Sequence, residues 1–167
     1  MAVVEGMNGL EDTFKALNVL VADGVVEQYA VAGAMAFLFY TEPARTYDLD
    51  VFVFLPPQQS PIFSMEPLYK QLLARGYTFD AEHVMIADTP VQFLPAYNPL
   101  AEEAVREAVK HEYEGVDVRV VGPEHLVALA YQTGGSHRIT RAKALEETGI
   151  LDVAKLDAIC VAHGVRR

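Results

Sequence analysis

The segment Tyr29–Leu55 reads YAVAGAMAFLFYTEPARTYDLDVFVFL and carries two carboxylates, Asp48 and Asp50, at the start of an apolar run. Strand side chains alternate between faces, so the pair points the same way, with Cα atoms roughly 6.6 Å apart. Two like charges at the mouth of a buried strand repel each other and lose hydration. A hard divalent cation compensates for both effects. Mg²⁺ suits such a pair, because it takes one or two carboxylates and completes its shell with water and phosphate oxygens. The plainer alternative is an exposed strand end, with both aspartates solvated or paired with Arg45; an Asp-x-Asp spacing also arises by chance.

Upstream, Gly33-Ala34 closes one apolar stretch and opens another. Backbone N–H groups at a strand-to-helix turn can receive a phosphate, and glycine lets a ligand approach the backbone closely. The alternative is that Gly33 only makes the turn. Downstream, Arg138, Arg141 and Lys143 form the one local basic cluster. They are either an ordinary solvated helix face or contacts to a triphosphate. Gly134-Gly135-Ser136 precedes them without the strand context or lysine of a P-loop. Of the histidines, His83 falls on an apolar strand pattern and reads as structural. His111 follows a helix end, and His125 and His163 read as surface or packing residues. No pair has the spacing of a zinc protease. Tyr97 is placed to border a pocket. Cys160 sits in an apolar helical pattern and reads as buried filler.

The elements that must position these groups follow from periodicity. Leu10 to Ala22 is an amphipathic helix, Val25 to Ala32 a short strand, and Met35 to Tyr40 a short buried helix. Asp48 to Leu55 is apolar on both faces beyond its start and so should be central in a sheet. Met65 to Arg75 is a helix closed by Gly76. Glu82 to Ala87 and Val91 to Pro95 form a hairpin through Asp88-Thr89-Pro90. Asn98 caps a helix that starts at Pro99 and runs to about Lys110. Val116 to Val121 is a strand. Helices then follow at Pro123 to Gln132, Arg138 to Thr148 and Asp152 to His163. The expected class is α/β (α+β): a mixed sheet flanked by helices over residues 1–121, with a C-terminal helical segment, residues 122–167, packed on it.

The bulk figures agree with this. The chain has 167 residues, of which 51% are hydrophobic, enough for a packed core. Its net charge of -10 repels phosphate backbones and disfavours non-specific nucleic-acid binding. It leaves room for a nucleotide whose charge is carried by a metal. A single cysteine excludes an internal disulfide. The first residues lack a basic region followed by an apolar core, and no apolar run is long enough to span a bilayer, so the expectation is a cytoplasmic protein with no membrane partner.

Taken together, Ala32-Gly33-Ala34, the intervening segment and Asp48-Leu49-Asp50 resemble the nucleotidyltransferase superfamily of the DNA polymerase β type. The lead-in Arg45-Thr46 and the later Val121-Gly122-Pro123-Glu124-His125-Leu126 resemble the minimal nucleotidyltransferases and the toxin-type enzymes of abortive-infection systems. The resemblance implies a Mg²⁺ (or Mn²⁺) site at Asp48 and Asp50. It also implies nucleoside triphosphate contacts at Gly33, Ala34, Arg45, Arg138 and Arg141. The activity implied is transfer of a nucleoside monophosphate to a hydroxyl on a protein, a tRNA end or a small molecule. Two positions depart from the pattern. The family's serine is Ala34 here, and its third carboxylate falls at Gln92, which brings no charge and cannot act as a base. The alternative is therefore a catalytically degenerate nucleotide-binding or partner-binding relative, for example in a toxin–antitoxin or defence pair. A homo-oligomer is also compatible with the sequence.

Overall fold

The computed structural model describes residues 9–41 and 46–167. Arg45, expected to contact nucleotide, lies outside the described residues. Seven strands form one mixed sheet in the order β3-β4-β5-β2-β1-β7-β6. Their ranges are β1 Gln28–Ala32, β2 Leu49–Phe54, β3 Thr78–Asp80, β4 His83–Ile86, β5 Thr89–Pro95, β6 Val109–Tyr113 and β7 Val116–Val120. The helices are α1 Leu10–Ala22, α2 Gly33–Phe37, α3 Glu66–Ala74, α4 Pro99–Arg106, α5 Pro123–Thr133, α6 Ser136–Glu147 and α7 Val153–His163.

The middle position in the sheet belongs to β2, as its two apolar faces require. It runs antiparallel to β1 and parallel to β5. Leu49, Val51 and Val53 are buried on one face. Strand alternation places Tyr29 and Ala32 on opposite faces of β1. Tyr29 reaches Asn18 of α1 with its hydroxyl, so α1 covers that face. Ala32 is the register partner of Asp50, which puts Asp50 on the other face, where α2, α4 and α5 pack.

Several local expectations hold with their physical causes visible. Asn98 accepts from the Ala101 N–H at 2.8 Å, and Pro99 follows it as the first residue of α4. The β4–β5 hairpin turns at Ala87-Asp88, both at positive φ, as a two-residue turn of the primed kind demands. The turn is therefore one position earlier than Asp88-Thr89-Pro90, and Thr89 and Pro90 belong to β5.

Other expectations are corrected. The helix from Pro99 stops at Arg106 instead of reaching Lys110, and Val109–Tyr113 is an edge strand. Its lysine and glutamate are solvated, which suits an edge that must not pair with another chain. His111 accordingly sits on a strand, not at a helix end, and its Nε2 lies 2.9 Å from the Tyr40 hydroxyl. Gly33 and Ala34 are the first residues of α2, not a turn before it. β1 begins at Gln28, later than Val25. Among the described residues, no helix is long and apolar enough to cross a membrane.

Candidate functional site

Asp50 is the second residue of β2, and Asp48 immediately precedes the strand. The Thr46 hydroxyl donates to the Asp48 carbonyl at 3.0 Å, bracing the turn that delivers the pair. Asp48 Oδ2 lies 2.9 Å from His83 Nε2, whose N–H donates to it. Asp50 is the more enclosed of the two. Its Oδ1 is buried and has no hydrogen-bond partner. Burial first, and the charge of Asp48 second, push the Asp50 carboxyl above the usual carboxylate range, while His83, Arg138 and Arg141 pull the other way.

Gly33 owes its place to this carboxylate. Its φ is +59°, and a Cβ there would stand 2.4 Å from Asp50 Oδ2. The group that approaches the Gly33 backbone closely is thus a side chain of the site itself. Gly33→Ala should cost about 1–2 kcal/mol for the left-handed backbone alone. Displacement of Asp50 should add to this. Thermal unfolding checks it: the loss should be smaller when Asp50 is already alanine, because the clash is then gone.

The pair opens into a cavity of about 720 Å³ whose lining includes Gly33, Ala34, Asp48, Asp50, Arg138 and Arg141. Arg138 and Arg141 are three apart on α6 and so share a helix face. Lys143, the third residue of the sequence cluster, is not in the lining, whereas His137 is. Tyr97 lines the cavity with Phe52, their ring centroids 6.0 Å apart. Leu126, Leu129 and Ala130 of α5 contribute apolar wall. Two carboxylates, two arginines and an aromatic pair in one lining suit a phosphate-bearing ligand with a planar ring.

Neither a protein-family model nor a curated protein matches the sequence. Solved structures match in three dimensions. The antigenic nucleotidyltransferase-like protein from Paracoccidioides brasiliensis aligns with TM-score 0.57 at 15% identity, over 81% of this chain and 74% of that one. ANT(2″)-Ia in complex with adenylyl-2″-tobramycin aligns with TM-score 0.54 at 13% identity, over 93% of this chain and 97% of that one. The solution structure of the antibiotic-resistance factor ANT(2″)-Ia aligns with TM-score 0.53 at 15% identity, over 94% and 92%. The chain has the nucleotidyltransferase fold.

Within this nucleotidyltransferase fold, register places Gln92 beside Asp50 in the parallel β2–β5 ladder. Residues paired across a ladder point to the same face, so the side chain at 92 is next to the aspartate. Gln92 is not among the residues that line the cavity.

Three histidines do more than the sequence reading assigns them. His83 is held at Asp48 by the β4–β5–β2 arrangement, across 35 residues of chain. His125 is 1% exposed and sits 3.1 Å from Glu103 Oε2. His163 reaches the same oxygen at 2.7 Å. The flanking Val84 and Ile86 make His83 read as one more strand residue and hide its partner, and no local signal reveals the other two contacts. Cys160 is buried, and burial raises its thiol above the ordinary range, in keeping with a packing role.

Proposed function

We propose that the protein transfers a nucleoside monophosphate from a nucleoside triphosphate to a hydroxyl group of a small molecule, using a divalent metal held by Asp48 and Asp50. The observation that carries this reading is the buried, partnerless Asp50 Oδ1, beside a second carboxylate at the mouth of a cavity faced by Arg138 and Arg141. An oxygen-only donor set of this kind fits Mg²⁺ or Mn²⁺. When bound, the metal supplies neutralisation of phosphate charge and alignment of the acceptor oxygen.

The chain's own residues would then do the following. Gly33 and Ala34 bring the start of α2 against the phosphates. Arg138 and Arg141 offset the negative charge that builds on the leaving pyrophosphate. Phe52 and Tyr97 give a planar ring a surface to lie on. His83 orients Asp48, so that its second oxygen faces the cavity. The acceptor oxygen bonds to the α-phosphorus, the bond to the β-phosphate bridging oxygen breaks, pyrophosphate leaves and the hydroxyl proton is released to solvent. Support for a small-molecule acceptor comes from ANT(2″)-Ia, described with adenylyl-2″-tobramycin, which aligns over 93% of this chain. The net charge of -10 favours a neutral or cationic acceptor over a polynucleotide. We assign the sheet and its helices over residues 1–121 to the metal, and residues 122–167 to the arginine side of the cavity.

Calorimetric titration of the four nucleoside triphosphates, with Mg²⁺ or Mn²⁺, tests the proposal. Binding should require metal and vanish in Asp48→Asn/Asp50→Asn. Arg138→Ala and Arg141→Ala should each weaken it about tenfold, the worth of one charge-assisted phosphate contact. Metal-independent binding, or none, would overturn the reading.

A further inference from the structure

A second cluster of metal-ligating side chains lies apart from the cavity. Glu103 belongs to α4, Glu107 caps its C-terminus, His125 is in the first turn of α5 and His163 is the last residue of α7. None of the four lines the cavity that holds Asp48 and Asp50. Ligand atoms of Glu103, Glu107 and His125 lie within 4.8 Å of one another. His125 Nε2 is 3.1 Å from Glu103 Oε2 and 3.3 Å from Glu107 Oε2, and His163 Nε2 is 2.7 Å from Glu103 Oε2.

Two features set this apart from a surface ion pair. A single N–H cannot serve two carboxylates well, yet the Nε2 of an imidazole only 1% exposed is aimed between both. A single carboxylate oxygen, in turn, is approached by two imidazole nitrogens from different helices. The donor set is two imidazole nitrogens and two carboxylates, which suits Zn²⁺. Tetrahedral zinc with bonds of about 2.0–2.1 Å sets its ligand atoms roughly 3.3–3.4 Å apart. Of the two separations from His125, the 3.3 Å to Glu107 matches and the 3.1 Å to Glu103 is about 0.2 Å short, whereas His163, outside the group of three, must swing out of its 2.7 Å contact with Glu103 to complete the shell.

We propose that Glu103, Glu107, His125 and His163 form a four-ligand Zn²⁺ site that clasps α5 and α7 to α4. Four protein ligands close the shell, which makes the ion structural. α6, with Arg138 and Arg141, lies between the two clasped helices in sequence, so the ion steadies the arginine side of the cavity without touching it. His125 Nδ1 is buried without a partner. It therefore lacks the outer hydrogen bond that usually orients a metal-bound imidazole, an omission that lowers affinity by roughly 10–100-fold.

The test is zinc titration of the whole chain in its Asp48→Asn/Asp50→Asn form, which removes the other candidate metal site. One equivalent should bind. Cobalt in its place should give the intense visible absorption of a tetrahedral ion. The unfolding midpoint should rise by about 5–10 °C at zinc concentrations a hundredfold above Kd. Glu107→Gln and His163→Gln leave the buried His125 in place and should each weaken zinc binding at least tenfold while the chain stays folded by circular dichroism. No stoichiometric binding, a cobalt spectrum without tetrahedral bands, or affinity unchanged in both variants would overturn the proposal and leave an ion-pair network only. None of these outcomes depends on whether the protein transfers nucleotides.

Discussion

Asp50→Asn is expected to abolish the proposed nucleotide transfer and to make the metal-free protein harder to unfold. The two effects share one cause. Asp50 is held in a half-buried position with Oδ1 unsatisfied and Asp48 beside it, so its charge is a cost of folding that a bound cation would offset. Asparagine keeps the shape and deletes the charge. Transfer should fall by about a thousandfold or more, the scale seen when a transition-state charge stabiliser is lost. The unfolding midpoint in chelator should rise by about 2–5 °C. Adding Mg²⁺ should stabilise the wild type and leave the variant unchanged. The sign of the pH effect follows. A carboxyl whose folded pKa is raised contributes most to stability below its unfolded pKa, and that contribution is lost as pH rises through the folded value. The stability advantage of Asp50→Asn over wild type in chelator should therefore widen as pH climbs from the ordinary aspartate range toward neutrality. A variant no more stable than wild type at neutral pH would mean that the aspartate is already compensated within the protein.

Gln92→Asp is expected to do the reverse. The β2–β5 register puts position 92 directly beside Asp50, with strands about 4.8 Å apart, so the new carboxylate joins the pair. In chelator, three like charges should lower the unfolding midpoint. With Mg²⁺ or Mn²⁺ present, affinity for metal and nucleotide should increase, and turnover should rise by about 10–100-fold, since a third carboxylate supplies both charge and a proton acceptor. Thermal unfolding with and without metal, paired with mass spectrometry of the product, reads both signs. A loss of stability that metal does not reverse would show that position 92 faces away from the ion.

The legibility of this site varied with the range of the interactions involved. The Asp48-Leu49-Asp50 spacing and the apolar run behind it are local, and alternation along one strand is enough to put the carboxylates together and to make that strand central. Caps and hairpins were legible for the same reason: Asn98, Pro99 and the β4–β5 reversal depend on a few neighbouring residues. The edge strand β6 was not. Val109–Tyr113 interleaves lysine, histidine and glutamate just beyond a helix, and its extended state comes from pairing with β7, not from its own apolar pattern. The arginine cluster was visible as composition, but only packing decides that Arg138 and Arg141 line the cavity while Lys143 does not.

By itself, then, the sequence determined the carboxylate pair, the central strand and the mixed α/β class. Tertiary structure alone decided that Gly33 must be glycine because Asp50 leans on it, that His83 holds Asp48 from 35 residues away, and that two glutamates of one helix meet histidines of two others. The physical reason is range: periodicity and capping are set within a turn or a strand, whereas these contacts exist only once the sheet order and helix packing have brought distant segments together.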